Sequence, residues 1–481
     1  DYAYAFGVNE FVLCASAYQP WIDKYPGSTA GGKHYCLNRN NTYWEYSRPF
    51  WDYQARCSAL MRKGVPVVDI CVYLGQNPPV KLVTYRLPEI PEGYDFDVCT
   101  AEALVGRTMA VDGRLTLPTG ISYSLLVIQR NNDMPLHVLR HIAGLVKGGV
   151  IVCGPRPDGS DSLKDKAESE EYRALVDELW GELTTVSQIR KVGKGKIYEN
   201  IPLSEVLKYE NIRPDIAIKS GNTAKDKVYF VHRRLSDADV YFLNNHSDRA
   251  FHDTVRLRTD ARQAEYWDAV TGQRYMIPVK ASGEKGMLLN LTLAPRESGF
   301  IVTSNNQATG LLPIIADVQE TITPIEGSWN VYFDPRWGGP GKVVFDELID
   351  WTVHADTGIR YYSGTAVYHK ELNLAIPAQN ERLLLRFPRL GSLARVWVNG
   401  KEVVTVWCSP WEADITSYVH EGKNNLKIEV VNSLMNRMIG DASLPESERF
   451  TYAYPQIATP TDKLVPSGIM EQLNLVYRQC Q

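Results

Sequence analysis

Two apolar runs near the start of the chain, GVNEFVLC at residues 7–14 and VPVVDICVY at residues 65–73, decide the fold that the sequence predicts. Each run has the length and composition of a buried strand. Between them lie a long polar, aromatic-rich loop and an amphipathic helix that ends near Lys63. This order is typical of the end of a TIM (β/α)8 barrel, where active sites form at the carboxyl ends of the strands. Two strands cannot close a barrel, so we expect a missing N-terminal barrel segment or a second chain to complete it.

Several short motifs resemble those of glycoside hydrolase family 106, the bacterial α-L-rhamnosidases. The motifs are SAYQPW (16–21), NNTYWE (40–45), DYQARC (52–57), GTAVY (364–368), VNGK (398–401), DIT (414–416) and NRMIGD (436–441). Each motif alone has low specificity, but together they follow the family's order over nearly the whole chain. The chain therefore resembles the C-terminal portion of such an enzyme.

That resemblance implies an inverting hydrolase of α-L-rhamnosidic linkages in plant or bacterial polysaccharides, with the general acid on a barrel strand outside this chain. It also implies a periplasmic or extracellular bacterial protein and, because relatives carry calcium near the site, a calcium ion. The ligands of any metal are unknown from the sequence. The alternative is a non-catalytic carbohydrate-binding or structural module of a larger glycosidase.

Composition narrows the classes of partner. The 481 residues carry a formal net charge of −4 and are 44% hydrophobic. Such a balance gives no electrostatic reason to expect nucleic acid or an anionic membrane as a partner. No apolar run reaches the eighteen or so residues that a transmembrane helix needs. The eight cysteines form no C-x-x-C pair, so a zinc motif is not expected, and disulfides stay undecided.

The pattern along the chain predicts a multidomain protein that combines α/β and all-β parts. Residues 1–85 form the barrel end, and residues 86–222 form an amidotransferase-like α/β domain, because apolar runs at 124–128 and 150–153 flank a helical stretch at 135–147. Short alternating strands then predict a β-sandwich at 223–310 and a galactose-binding-like jelly roll at 311–481.

Glycoside hydrolysis requires two carboxyl groups, about 6.5–9.5 Å apart in inverting enzymes. We predict Glu45 as the general base, because it ends the long loop where the helix begins and matches a family motif. The alternative for Glu45 is a capping-box glutamate three residues after Thr42. Glu10 is the second candidate: inward orientation would place it near the site, although relatives carry a basic residue there, which favours a paired or structural role.

Sugar-contact candidates surround these carboxylates. Aromatic faces stack on pyranoses and amides bond hydroxyls, which selects six residues. They are Asn9, Tyr18, Gln19, Trp21, Tyr43 and Trp44. Relatives commonly carry histidines where Cys14 and Tyr18 stand, so the sequence leaves open whether the bound sugar is rhamnose or another sugar. In the jelly roll, Trp397, Trp407 and Trp411 could form a second carbohydrate-binding face or could be core tryptophans.

Overall fold

The structure is a computed structural model. It describes residues 1–13, 17–29, 38–75, 87–129, 134–160, 169–182, 186–221, 227–283, 285–306, 310–313 and 319–479. Within these ranges no helix is both long and apolar enough to span a bilayer.

The N-terminal region is dominated by one helix. Strand β1 (Pro26–Ser28) lies in the long loop, helix α1 is Arg48–Met61, and β2 is Val65–Pro66. Tyr53, Cys57 and Met61 recur every four residues along α1 and are buried. This spacing places them on one helix face, which packs on Tyr4 and on one face of the following β-sandwich.

The α/β domain is a six-stranded sheet with helices. Its strands are β3 (Ile70–Tyr73), β4 (Phe96–Cys99), β8 (Leu125–Ile128), β9 (Ile151–Cys153), β10 (Gln188–Val192) and β11 (Gly195–Glu199), in the order β10-β11-β9-β8-β3-β4. All pairs are parallel except β10 with β11. A small antiparallel sheet contains β5 (Met109–Val111), β6 (Arg114–Thr116) and β7 (Ser122–Tyr123). The helices are α2 (Ala101–Arg107), α3 (Leu136–Lys147), α4 (Ser169–Trp180) and α5 (Leu203–Tyr209). The predicted unit of two apolar strands flanking a helix is therefore present.

The next domain is a two-sheet β-sandwich. Its strands are β12 (Ile216–Ile218), β13 (Val228–Arg234), β14 (Ala238–Asn245), β15 (Phe251–Leu257), β16 (Gln263–Trp267), β17 (Arg274–Ile277), β18 (Val279–Ala281), β19 (Met287–Leu293), β20 (Ser298–Ser304) and β21 (Leu312–Pro313). The sheet orders are β12-β15-β19-β18 and β2-β13-β14-β20-β16-β17-β21. Alternate residues of both sheets form one apolar core.

The C-terminal domain has jelly-roll-like architecture with an aromatic-rich core. Its strands are β22 (Glu320–Pro324), β23 (Trp329–Phe333), β24 (Gly341–Phe345), β25 (Thr365–Leu374), β26 (Glu381–Arg386), β27 (Leu390–Gly391), β28 (Leu393–Val398), β29 (Lys401–Val406), β30 (Glu412–Asp414), β31 (Gly422–Val431), β32 (Tyr452–Tyr454), β33 (Gly468–Ile469) and β34 (Asn474–Gln479). The larger sheets run β24-β23-β25-β31-β28-β29 and β22-β34-β26-β30, and β27 pairs with β33. Helices α6 (Thr357–Arg360) and α7 (Met435–Asp441) are short.

The two runs predicted as barrel strands, residues 7–14 and 65–73, do not form strands of a barrel in the described residues. Residues 7–13 form no strand, and Val12 is 95% exposed. The run at 65–73 is split: β2 pairs with β13 of the sandwich, whereas β3 pairs with β4 and β8. The boundary predicted at residues 85 and 86 therefore falls between adjacent strands of one sheet. A short apolar run identifies a buried strand but does not say which sheet buries it, which is why the barrel assignment of residues 65–73 is wrong.

Candidate active site

The long loop that carries the candidate residues is held by the jelly roll. Its strand β1 pairs in parallel with β32, matching Pro26 with Tyr452 and Ser28 with Tyr454. The Thr29 hydroxyl donates to the Pro455 carbonyl oxygen at 2.8 Å. These contacts join parts of the chain that are 426 residues apart. The loop is therefore an interdomain structure.

The second part of the loop is fixed to the same domain. The Thr42 hydroxyl donates to the carbonyl oxygen of Asn432. Residues Trp44–Tyr46 form a single 3-10 turn. The Tyr46 hydroxyl lies 3.2 Å from Thr365 Oγ1 and 3.4 Å from Glu429 Oε2. Burial raises the pKa of Tyr46, so its hydroxyl stays protonated.

Arg395 on β28 connects this turn directly to the jelly-roll sheet. Its guanidinium donates from Nη2 to the backbone carbonyl oxygen of Glu45 at 3.0 Å. The guanidinium carbon also lies 4.1 Å from the centre of the Tyr46 ring, within the range of a cation–π contact. Sequence reasoning missed Arg395, because it lies 350 residues from Glu45.

The Glu45 side chain itself is exposed. Among the described residues, no partner is bonded to its carboxylate. A capping box is not formed, since α1 begins at Arg48, its N-cap Ser47 makes no side-chain cap, and Thr42 bonds Asn432 instead. The carboxylate is thus available to a water molecule or a substrate while the backbone beneath it is fixed.

Glu10 does not lie near Glu45. Its carboxylate is 3.4 Å from Arg62 Nη1, in an exposed ion pair directly after the end of α1. Glu45 precedes the start of the same helix, whose 14 residues span about 21 Å. The two carboxylates are therefore at opposite ends of α1. That separation is too large for the pair that an inverting reaction needs.

The remaining candidates divide into structural and exposed residues. Gln19 exchanges two hydrogen bonds with the backbone of Ser28, at 2.7 and 2.9 Å, so it braces the loop. Trp21 packs edge-on against Tyr452 with ring centres 5.0 Å apart. Tyr18 is 83% exposed.

Arg39 joins the two halves of the loop by donating to the carbonyl oxygens of Gln19 and Trp21. Tyr43 and Trp44 are beside Glu45 in the chain, and Trp44 is exposed. Asn9 is also exposed, but it lies next to Glu10 in the chain, away from the turn that carries Glu45. Cys14 is outside the described residues. The structure therefore bonds the backbone of Gln19 and Trp21 to Arg39, in the half of the loop that leads to Glu45, and leaves Asn9 apart.

The family resemblance implies a calcium ion, which carboxylate side chains would hold. The part of the chain that the structure describes contains no group of three or more His, Cys, Asp or Glu side chains placed to hold a metal ion. Calcium prefers six to eight oxygen ligands, usually with several carboxylates. The described side chains do not supply that set, so the calcium ion implied by the family resemblance stays a prediction.

Sequence-family comparison identifies the class of protein. Residues 1–280, more than half of the chain, match the glycoside hydrolase family 106 model, described as alpha-L-rhamnosidase. The chain belongs to this family of glycoside hydrolases. Residues 316–477 match a second model, the sugar binding domain of family 2 glycosyl hydrolases.

Two relatives place the chain within longer proteins. The structure of a rhamnosidase from Novosphingobium sp. PP1Y superposes with a TM-score of 0.88 at 29% identity, over 98% of this chain and 45% of that one. A putative beta-glucuronidase from Formosa agariphila is 23% identical over 92% of this chain and 56% of its own length. The chain thus spans about half the length of these relatives. The mixed α/β and β-sheet architecture is that of a rhamnosidase-like multidomain protein.

Proposed function

We propose that this chain is part of an inverting α-L-rhamnosidase-like glycoside hydrolase and that Glu45 is its general base. The observation that carries the proposal is an exposed carboxylate with no partner among the described residues, on a turn held through its own backbone by Arg395. A base that activates water needs free oxygen atoms and a fixed position. The family match and the likeness to a rhamnosidase support the substrate class.

The second carboxyl group would come from outside this chain. Glu10 is at the far end of α1, so we propose that the general acid lies on a barrel segment that reaches Glu45, and that another part of the same barrel packs against residues 7–13. Val8, Phe11, Val12 and Leu13 are exposed there. Burying a large apolar side chain contributes about 1.5–3 kcal/mol, so a partner surface would stabilise this segment. The substrate would be a rhamnose-containing oligosaccharide or polysaccharide, met in the periplasm or outside the cell.

The test is Glu45→Gln in the full-length enzyme. The amide keeps the size of the side chain but cannot take a proton from water. We expect kcat to fall by roughly 10²–10⁴-fold with little change in KM. Azide needs no base, so it should partly restore turnover of an activated substrate and give a glycosyl azide of inverted configuration.

Glu10→Gln is the matched control. Because the Glu10–Arg62 pair is exposed, its loss should change stability by less than about 1 kcal/mol and leave kcat unchanged. Near wild-type activity in Glu45→Gln would refute the base assignment. It would favour the second candidate function, a carbohydrate-binding part of a larger glycosidase, which the match of residues 316–477 to a sugar binding domain supports.

A further inference from the structure

A cleft of about 410 Å³ opens on the outer face of the six-stranded jelly-roll sheet. Its floor is a row of cross-strand neighbours from four adjacent strands, Asn330, His369, Lys427 and Trp397. Glu371 and Asn425 continue the lining. The neighbours of Trp397 on β28, Val396 and Val398, are buried in the core. Trp397 therefore faces away from the core, as its alternation in the sequence predicts.

The three tryptophans proposed as one carbohydrate-binding face are separated. Trp407 packs edge-on against Phe50 and Tyr53 of α1. Trp411 packs against the jelly-roll core. Only Trp397 lines the cleft, so any binding surface on this sheet is centred on it.

The lining has the chemistry that sugars require. An indole ring offers apolar surface, whereas amide, imidazole and ammonium groups donate and accept hydrogen bonds from hydroxyls. Within the described parts of the chain, the buried indole nitrogen of Trp397 has no hydrogen-bond partner. An unpaired buried donor costs free energy, but this nitrogen is buried, so a ligand in the cleft would contact the indole ring rather than its N–H group.

Lys427 makes the cleft unsuitable for a purely apolar ligand. Its ammonium nitrogen lies 4.2 Å from the centre of the Trp397 ring and 2.9 Å from the Glu429 carboxylate. The ammonium therefore covers one face of the indole ring as a cation–π contact and places a charged donor in the cleft. A ligand rich in oxygen atoms gains hydrogen bonds there, whereas an apolar ligand would strip water from a charge without replacing it.

The cleft also adjoins the candidate active site. Trp397 and Arg395 are two positions apart on β28, so both side chains point to the same face, about 7 Å apart along the strand. Arg395 holds the backbone of Glu45. A glycan chain that leaves the Glu45 site along this strand meets the cleft.

We propose that the cleft is a distal glycan subsite that binds a sugar residue of the polysaccharide whose end is cleaved beside Glu45. The catalytic half of this statement rests on the proposed function, but binding in the cleft requires no catalysis. The ligand class is a hydroxyl-rich sugar within a chain rather than a small glycoside.

The kinetic test uses the full-length enzyme with rhamnogalacturonan and with 4-nitrophenyl α-L-rhamnoside. Trp397→Ala should lower kcat/KM for the polysaccharide about tenfold and leave the small glycoside unchanged, because only the polymer reaches the cleft. Asn425→Ala, at an exposed position, should act in the same direction if Trp397→Ala fails to fold. Trp411→Ala is the control: it should lower Tm and leave the ratio of the two kcat/KM values unchanged. An unchanged ratio in folded Trp397→Ala and Asn425→Ala, or equal losses on both substrates, would overturn the proposal.

The binding test separates this proposal from the catalytic one. Affinity electrophoresis of the Glu45→Gln protein through rhamnogalacturonan should show retardation, which Asn425→Ala weakens in the double variant. If Glu45→Gln remains active, the general-base assignment fails while the subsite stands on this retardation. If the protein is not retarded, or if Asn425→Ala leaves retardation unchanged, the subsite is refuted whatever the outcome for Glu45.

Discussion

Arg395 is the residue through which the jelly roll contacts the candidate base, and it gives the first prediction. Arg395→Ala removes the donor to the Glu45 carbonyl oxygen and the cation over Tyr46. Since Arg395 holds the backbone of the base rather than the sugar, we expect kcat to fall about tenfold or more with KM nearly unchanged. Arg395→Lys keeps the charge without the planar fork and should recover only part of the rate.

Arg336→Ala is the matched control for this positioning role. Arg336 lies in the same domain and is exposed, and its guanidinium pairs with Asp334. It should leave kcat unaltered. A rise in KM alone in Arg395→Ala would instead mean that Arg395 contacts the sugar. Measuring Tm alongside the kinetics excludes simple loss of folded protein.

At the scale of single residues, the sequence indicates which residues are candidates for the site but not which groups surround them. Glu45 stood out because it ends an aromatic-rich loop and matches a family motif. Arg395, which holds the backbone of Glu45, did not stand out, because a hydrogen bond between residues 350 positions apart leaves no local sequence pattern. Gln19 was predicted to bind sugar, yet it is bonded to the Ser28 backbone. An amide that can bond a hydroxyl can equally bond a backbone, and the sequence does not distinguish the two.

Among the elements, residues 7–13 give the second prediction. Val12 is almost fully exposed in this chain. Val12→Ser should therefore change Tm by less than about 1 °C in the protein of residues 1–481. In the full-length enzyme, where we propose a barrel partner, the same change should cost about 1–3 kcal/mol. Thermal unfolding of both proteins checks this, and equal small effects in both would contradict a buried partner surface.

Local sequence patterns are sufficient to predict where several helices and strands lie in the chain. The apolar runs predicted at 124–128 and 150–153 contain β8 and β9, and the helical stretch predicted at 135–147 contains α3, because hydrophobic periodicity is a local signal. The partner of a strand is decided by distant residues. Asp69 precedes β3 and is bonded to Ser124 and Arg258, and neither contact could be read from its neighbours in sequence.

At the scale of the whole molecule, a buried network of charges joins the α/β domain to the sandwich. Arg258 Nη2 lies 2.7 Å from Asp69 and 2.6 Å from Asp215. His232 is buried with one ring nitrogen 3.0 Å from Asp215 and the other 3.0 Å from Asp239. Buried charges remain favourable only while each is paired. Removing one partner should therefore destabilise the junction between these domains.

Asp239 gives the third prediction. Burial alone would raise the pKa of its carboxyl, but the contacts with His232, Thr259 and Arg234 outweigh burial and lower the pKa to about 2. The ionised form is thus favoured by folding. Its contribution, roughly 2 kcal/mol, is present above the unfolded pKa near 4 and is lost as the pH falls towards 2. Asp239→Asn should lower Tm at pH 6 and flatten the decline of Tm between pH 4.5 and 2.5.

Asp248→Asn is the control for that measurement. Asp248 forms an exposed pair with Arg296. Solvent screens such a pair, so its loss should shift the curve of Tm against pH very little. Parallel declines in wild type and Asp239→Asn would show that this carboxylate does not stabilise the domain junction.

The pairing of β1 with β32 also means that the loop that carries Glu45 can complete its folding only late in translation. A ribosome releases Pro26–Ser28 long before it makes Tyr452–Tyr454. At about 5–20 residues per second, that interval is roughly 20–85 seconds. During it the earlier domains can fold, while the loop that carries Glu45 still lacks its scaffold. A chain that ends before Tyr452 would therefore lack the strand that supports this loop.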